Sequence, residues 1–398
     1  MFWLRRALAL VLMMLLALGT VPANSQPPTD DDTCPIIVDK ALAAVNDHCS
    51  GLDRNQACYG YVRVDATFVG EVDPDVFSAP ADITDITTLR SLHTTALNPE
   101  EDLWGVAVLN VQANVPLTLP GQAVTFLLLG NTQVENQVEA QKAFVPRDPV
   151  PVVVQAQERV NLRSGPGTVH NVVTTADSGE TLIADGISPD GEWLHVFYQN
   201  TSAWIYRPLV RSSLPWRIAR LQVVETDPQT PMQSFYFTTG LGLPRCSEAP
   251  DAVVIQGPQN VTVNLTVNGA NITIGSTVIL LSDFWDQADP ANGEDYDTDC
   301  RLTQIIILDG SANLTEGQFN LPTGYMAEAV ACPSPEGILI QQGSWTNIVP
   351  APPELLQRFA VLERFSPGVL RYPIIIPDPQ QVEPLPPPTP TTPPRPTS

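Results

Sequence analysis

The sequence predicts a mainly β protein built from several domains, with helix confined to short segments. Three observations carry that expectation. Forty prolines are scattered through 398 residues, long apolar runs with a helical period are scarce, and short alternating apolar runs recur between turn residues. The length suffices for two or three separate cores. The elements sort into a leader at 1–25, a small α+β domain at 30–147, a small β-barrel at 152–213, a β-domain at 216–347, a short helix at 353–364 and a disordered Pro/Thr-rich tail at 377–398.

The leader has Arg5 and Arg6, an unbroken apolar run over 7–18, and then Pro22, Ala23 and Ser25. That is the build of a secretory signal peptide, too short in its apolar part to span a bilayer. The mature chain is therefore expected to be secreted or held at the cell surface, with no membrane span. Cys34, Cys49, Cys58, Cys246, Cys300 and Cys332 are disulfide candidates in that compartment. Three precede the barrel segment and three follow it, so full pairing needs at least one bridge from one flank to the other.

A formal net charge of −23 argues against nucleic acid as a partner, because phosphate binding needs clustered Lys and Arg. The charge is uneven. Residues 30–150 hold 18 acids and 6 bases, whereas residues 152–213 hold 6 and 4. The barrel segment is thus the part least repelled by an anionic wall or surface.

In the first domain Ile37, Ala41, Ala44, Val45 and His48 fall at helical spacing behind Pro35, which predicts a short helix tethered at its ends by Cys34 and Cys49. Strand-like runs follow at 59–72, 103–115 and 123–129, between Pro- and Asp-rich turns. A proline-flanked connector at 145–151 leads into the next segment. There, short apolar or alternating runs at 152–160, 172–173, 181–184, 193–197 and 203–206 are punctuated by Gly179-Glu180, Pro189-Asp190-Gly191 and Gln199-Asn200. Short strands packed so densely favour a small barrel over a sandwich.

Four motifs occur there in order: Val160-Asn161-Leu162-Arg163-Ser164-Gly165-Pro166-Gly167, Gly179-Glu180-Thr181-Leu182, Asp190-Gly191-Glu192-Trp193-Leu194-His195-Val196 and Trp204-Ile205-Tyr206. The segment resembles the bacterial SH3-like (SH3b) domain. One departure is Ala203, where that family commonly has glycine before the closing tryptophan. The resemblance implies a small extracellular barrel that binds cell-wall peptide, glycan or protein. Most motif residues shape the barrel, so the ligand candidates are the aromatics near strand ends, Tyr198, Trp204 and Tyr206. A rigid ring supplies contact area at low entropic cost.

In the third region Val261, Val263, Leu265 and Val267 alternate with polar residues up to Asn268-Gly269, and Ile272 and Ile274 resume the alternation, which predicts a hairpin. The stretches 264–281 and 307–311 resemble the extracellular FecR-like β-domain. Between them an acidic insertion at 283–299 brings Asp295, Asp297 and Asp299 into alternation, a weak calcium candidate because calcium takes oxygen ligands. In the final helix Leu355, Leu356, Phe359 and Leu362 share one face.

No cofactor motif is present. The Gly-x-Ser-x-Gly elbow is absent, Gln56-Ala57-Cys58-Tyr59-Gly60 only superficially echoes a cysteine-protease motif, and the histidines His48, His93, His170 and His195 are scattered. The expected function is therefore that of a non-enzymatic binding or scaffolding protein whose partner is a cell-wall or extracellular polymer, or a protein. Two alternatives stand beside it: a wall hydrolase or peptidase with its catalytic part in the first domain, and a purely structural envelope component.

Overall fold

The computed structural model describes residues 30–115, 123–139, 143–146, 148–199, 201–226, 228–239, 246–285, 299–314, 319–379 and 382. The leader, nearly all of the tail, and Asp295 and Asp297 lie outside these residues.

Strands Val106–Val111, Val124–Leu129 and Ala252–Gln256 are buried at every position. Successive side chains of a strand point to opposite faces, so burial throughout requires a sheet covered on both sides. These strands sit in the middle of a ten-stranded sheet. Its order is Leu339–Gln341, Tyr325–Pro333, Arg301–Asp309, Thr277–Phe284, Ala252–Gln256, Val124–Leu129, Val106–Val111, Gln56–Tyr61 and Ile83–Asp85, with Thr346–Pro350 also paired to Tyr325–Pro333.

One face of this sheet packs on an eight-stranded sheet in the order Val64–Phe68, Leu89–Thr94, Thr132–Asn136, Ser234–Thr238, Val263–Val267, Ala270–Ile274, Ser311–Leu314 and Phe319–Pro322. The expected hairpin across Asn268-Gly269 is there, with alternate residues of both strands buried. The other face of the ten-stranded sheet is covered by helix Asp30–His48 and by the C-terminal turns Pro353–Gln357 and Ala360–Arg364. The N-terminal helix starts earlier than Pro35 and buries Ile37, Val38, Ala41, Leu42 and Val45, while His48 is exposed. Leu356, Phe359 and Leu362 are buried against the same face, with Leu355 packed beside them.

The chain weaves between the two sheets, usually laying two strands in one before crossing to the other. From Val106–Val111 onward, sheet neighbours separated in the chain by a pair of strands are antiparallel. Ala252–Gln256 is laid singly between Ser234–Thr238 and Val263–Val267, and those two are accordingly parallel.

This path corrects the expected division into a 30–147 domain and a 216–347 domain. Val124–Leu129 pairs with Ala252–Gln256, and Thr132–Asn136 with Ser234–Thr238, so the two segments are halves of one sandwich. The stretches 264–281 and 307–311, expected to form a separate β-domain, are therefore part of sheets shared with the N-terminal half. Within the expected run at 59–72, Gln56–Tyr61 and Val64–Phe68 belong to different sheets.

Disulfides join Cys49 to Cys58 and Cys300 to Cys332. The first ties the end of the helix to the first strand, and the second ties two neighbouring strands of the ten-stranded sheet. Each closes within its own flank, the first before the barrel and the second after it, and Cys246 keeps a buried thiol, so the six cysteines do not all pair and the expected flank-to-flank bridge is not required. Cys34 and Cys246 are both buried in the apolar layer between helix and sheet.

Asp251 sits where the halves meet. Its Oδ1 accepts the Asn131 N–H at 2.7 Å, and a Cβ at Gly130 would lie 2.0 Å from that oxygen. Burial pushes the carboxyl from 3.8 to about 6, with the Asn131 bond pulling the other way. The folded state thus holds this proton more tightly than the unfolded chain. That contribution to stability is complete below about pH 4 and lost as pH rises through 6. Asp251→Asn is expected to raise stability at neutral pH by about 1–3 kcal/mol and to flatten the slope between pH 4 and 6, as read by urea unfolding at acidic and neutral pH.

Candidate functional site

Thr132–Asn136 and Ser234–Thr238 form a hairpin in which the small barrel takes the place of the turn. Two legs carry it. Gln137 N–H donates to Ser234 O at 2.9 Å, Met232 N–H to Asn136 Oδ1 at 3.1 Å, and Phe144 N–H to Gln229 O at 2.8 Å. The barrel strands are Val150–Val154, Val160–Arg163, Val172–Ala176, Thr181–Ile187, Trp193–Tyr198 and Thr201–Tyr206, with Val210–Arg211 and Gln222–Val223 at the edges. The single run expected at 152–160 is thus two strands.

The loop after Val160–Arg163 is held by its own arginine. Arg163 Nη1 donates to the carbonyls of Thr168 at 3.2 Å and His170 at 2.8 Å. The His170 ring lies so close over Gly165 that a Cβ there would meet Nδ1 at 2.5 Å, which explains the glycine. Opposite, Asp190 accepts from Ser188 Oγ at 2.5 Å and from the Glu192 N–H at 2.9 Å. The serine first, and then the backbone, hold its carboxyl below the usual range, so it stays charged.

Between loop and turn runs a groove of about 750 Å³, walled by Asn161, Arg163, Pro166 and Glu192 and floored by Trp193 and Tyr206. Tyr206 is 37% exposed, with its ring centroid 5.4 Å from that of Trp193. Glu158, Asp190 and Glu192 line the groove against Arg159 and Arg163. Arg159 is paired with Asp177 through Nε at 2.7 Å. The surplus is acidic, which favours a neutral or basic guest over an anionic one.

Of the three aromatic candidates, the structure brings only Tyr206 to the groove. Trp204 is 1% exposed, and this corrects its expected place on a binding surface. Its indole packs with Phe144 and Val224 of the two legs, and Nε1 donates to Thr226 O at 3.3 Å, so it docks the barrel on its stalk. Tyr198 lies apart from the groove. Its hydroxyl donates to Glu180 Oε2 at 2.7 Å and accepts from Gln199 Nε2 at 2.8 Å, and the Glu180 carboxylate pushes the phenol pKa up.

One constellation went unread in the sequence. His195 Nδ1 lies 2.6 Å from Asp185 Oδ1, and Nε2 lies 2.7 Å from Ser202 Oγ. A carboxylate can only accept, so Nδ1–H donates to Asp185, and Nε2 is left against the Ser202 hydroxyl. His195 is 4% exposed, its ring edged by Phe144 and Trp204 at centroid distances of 5.5 and 5.2 Å. Strand register puts Ser202 diagonal to His195, and a bulge between Ala184 and Gly186 turns Asp185 toward it. The motif fixes His195, but the bulge leaves no sequence signature.

Of the calcium candidates, Asp295 and Asp297 lie outside the described residues. Asp299 is exposed and acts electrostatically on Arg301. Among the described residues no His/Cys/Asp/Glu group has a metal-holding arrangement.

Because Trp204 joins barrel to stalk, Trp204→Ala is expected to cost about 3–5 kcal/mol. Urea unfolding followed by tryptophan fluorescence should then show the barrel melting before the sandwich.

The family model of the bacterial SH3 domain matches residues 158–211. No curated protein and no solved structure matches the chain. The barrel that carries the groove is a bacterial SH3 domain.

Proposed function

We propose that the chain is an exported, non-enzymatic bacterial binding protein whose SH3 barrel holds a neutral or basic peptide, or peptide-bearing glycan, of the cell wall. The observation that carries this reading is the groove built on the family's own motif loop, with the half-open Tyr206 ring on its floor and an acidic surplus along its walls. The leader at 1–25, the two disulfides and the FecR-like stretch support an extracellular scaffold that displays the barrel. The full-length protein is expected to be retained on purified peptidoglycan at low salt. Tyr206→Ala, which removes the exposed ring, should weaken retention about tenfold. No retention of the wild type would sink the wall-binding reading in favour of a structural envelope role.

One observation favours a second reading, a hydrolase. Asp185, His195 and Ser202 have the hydrogen-bond order of an activated serine, and Ser202 is exposed. On this reading the catalytic residues sit in the barrel rather than in the N-terminal segment. A fluorophosphonate probe would then label the wild type at Ser202 and leave Ser202→Ala unlabelled. An unlabelled wild type that also fails to clear a wall suspension ends this reading.

A further inference from the structure

A second cavity, of about 880 Å³, opens where the barrel, its stalk and the sandwich meet. Trp216, Arg217, Arg220 and Gln222 line it from the segment leaving the barrel, with Val145 on the entering leg and Thr87 on the sandwich. It shares no lining residue with the Tyr206 groove.

Its charge runs against that of the chain. The protein has 43 acidic and 20 basic residues, yet residues 193–224 contain Arg207, Arg211, Arg217 and Arg220 and no Asp or Glu. Two of those arginines, Arg217 and Arg220, line this cavity against one carboxylate, Asp148, so its lining keeps a basic surplus. Arg217 Nη2 donates to Pro149 O at 3.4 Å and stands 4.0 Å from the Asp148 carboxylate, whose side chain is 94% exposed. A contact that long and that solvated leaves the guanidinium charge largely unspent.

Trp216 is the second observation. Trp104, Trp193, Trp204 and Trp345 are buried, whereas Trp216 is 57% exposed at the mouth of the cavity. The Arg220 guanidinium lies over its ring at 5.2 Å, which fixes both groups in one place. An open indole beside two forked cations suits a flat, partly apolar ligand carrying a carboxylate. Gln222 and Thr87 add amide and hydroxyl partners for ring hydroxyls.

We propose that this cleft binds an acidic polysaccharide, with a sugar carboxylate on Arg217 and Arg220 and the sugar ring on Trp216. A phosphate group would use the arginines and leave the indole idle, so the two kinds of ligand are separable. The site is independent of the Tyr206 groove.

The test is titration calorimetry of the full-length protein with polygalacturonate oligomers, with neutral dextran and inorganic phosphate as comparisons. Binding of polygalacturonate that weakens with salt is expected, with no heat from dextran. Trp216→Ala should weaken it roughly tenfold, and Arg217→Gln with Arg220→Gln roughly a hundredfold. Arg220→Gln alone, at an exposed position, provides a variant with little risk to folding, and should lose roughly tenfold. Tyr206→Ala should bind as the wild type does. No binding of polygalacturonate, equal binding of dextran, or a Trp216→Ala variant unchanged while phosphate competes fully would each overturn the proposal.

Discussion

A sheet buried on both faces has to be covered twice, and here neither cover is local in sequence. The core strands Val106–Val111, Val124–Leu129 and Ala252–Gln256 expose nothing to water, so their stability depends on the second sheet on one side and on helical segments on the other. Those helical segments come from opposite ends of the described chain. Asp39 pairs with Arg364, Asn46 Oδ1 accepts the Ser366 N–H at 2.9 Å, and Gly51 N–H donates to Gly368 O at 3.1 Å. The helix layer is thus completed only when the last strands have been laid down.

The barrel answers to a different constraint. It is small, and it has to keep a fixed attitude on two thin legs. Its interior is an ordinary aliphatic core, while Trp204 and His195 face outward to the stalk. Gly186 lets the leaving leg come close, since a Cβ there would meet the Val224 side chain at 2.2 Å. The Asp185–His195–Ser202 chain satisfies its buried polar groups at this junction, where an unpaired imidazole would be costly. The ring left half open, Tyr206, lies beyond the cover of the stalk and lines the groove.

What could be read from the sequence follows the distance over which information acts. The barrel was legible because its loop glycines, its turns and its tryptophan strand are all set within a few residues of one another. The Asn268-Gly269 hairpin was legible for the same reason. The sandwich was not, because the pairing of Leu127 with Val254 spans the inserted barrel and leaves no local mark. Strands Leu89–Thr94 and Thr132–Asn136 escaped notice because their alternation is short and polar. Within the site, Trp204 and Tyr206 occupy the same strand on the same pleat, and alternation alone gives both rings the same face. Only the stalk, which covers one and not the other, tells them apart.

The insertion of the barrel into a hairpin also sets how force travels. A tug on a ligand held by the barrel enters the sandwich through two neighbouring strands at once, Thr132–Asn136 and Ser234–Thr238, each drawn along its own length. Their outer partners, Leu89–Thr94 and Val263–Val267, are then loaded in shear, with the ladder of hydrogen bonds sharing the load instead of opening one after another. A barrel hung from a single linker would peel its strand from the sheet edge; this one is anchored in the middle of the sheet.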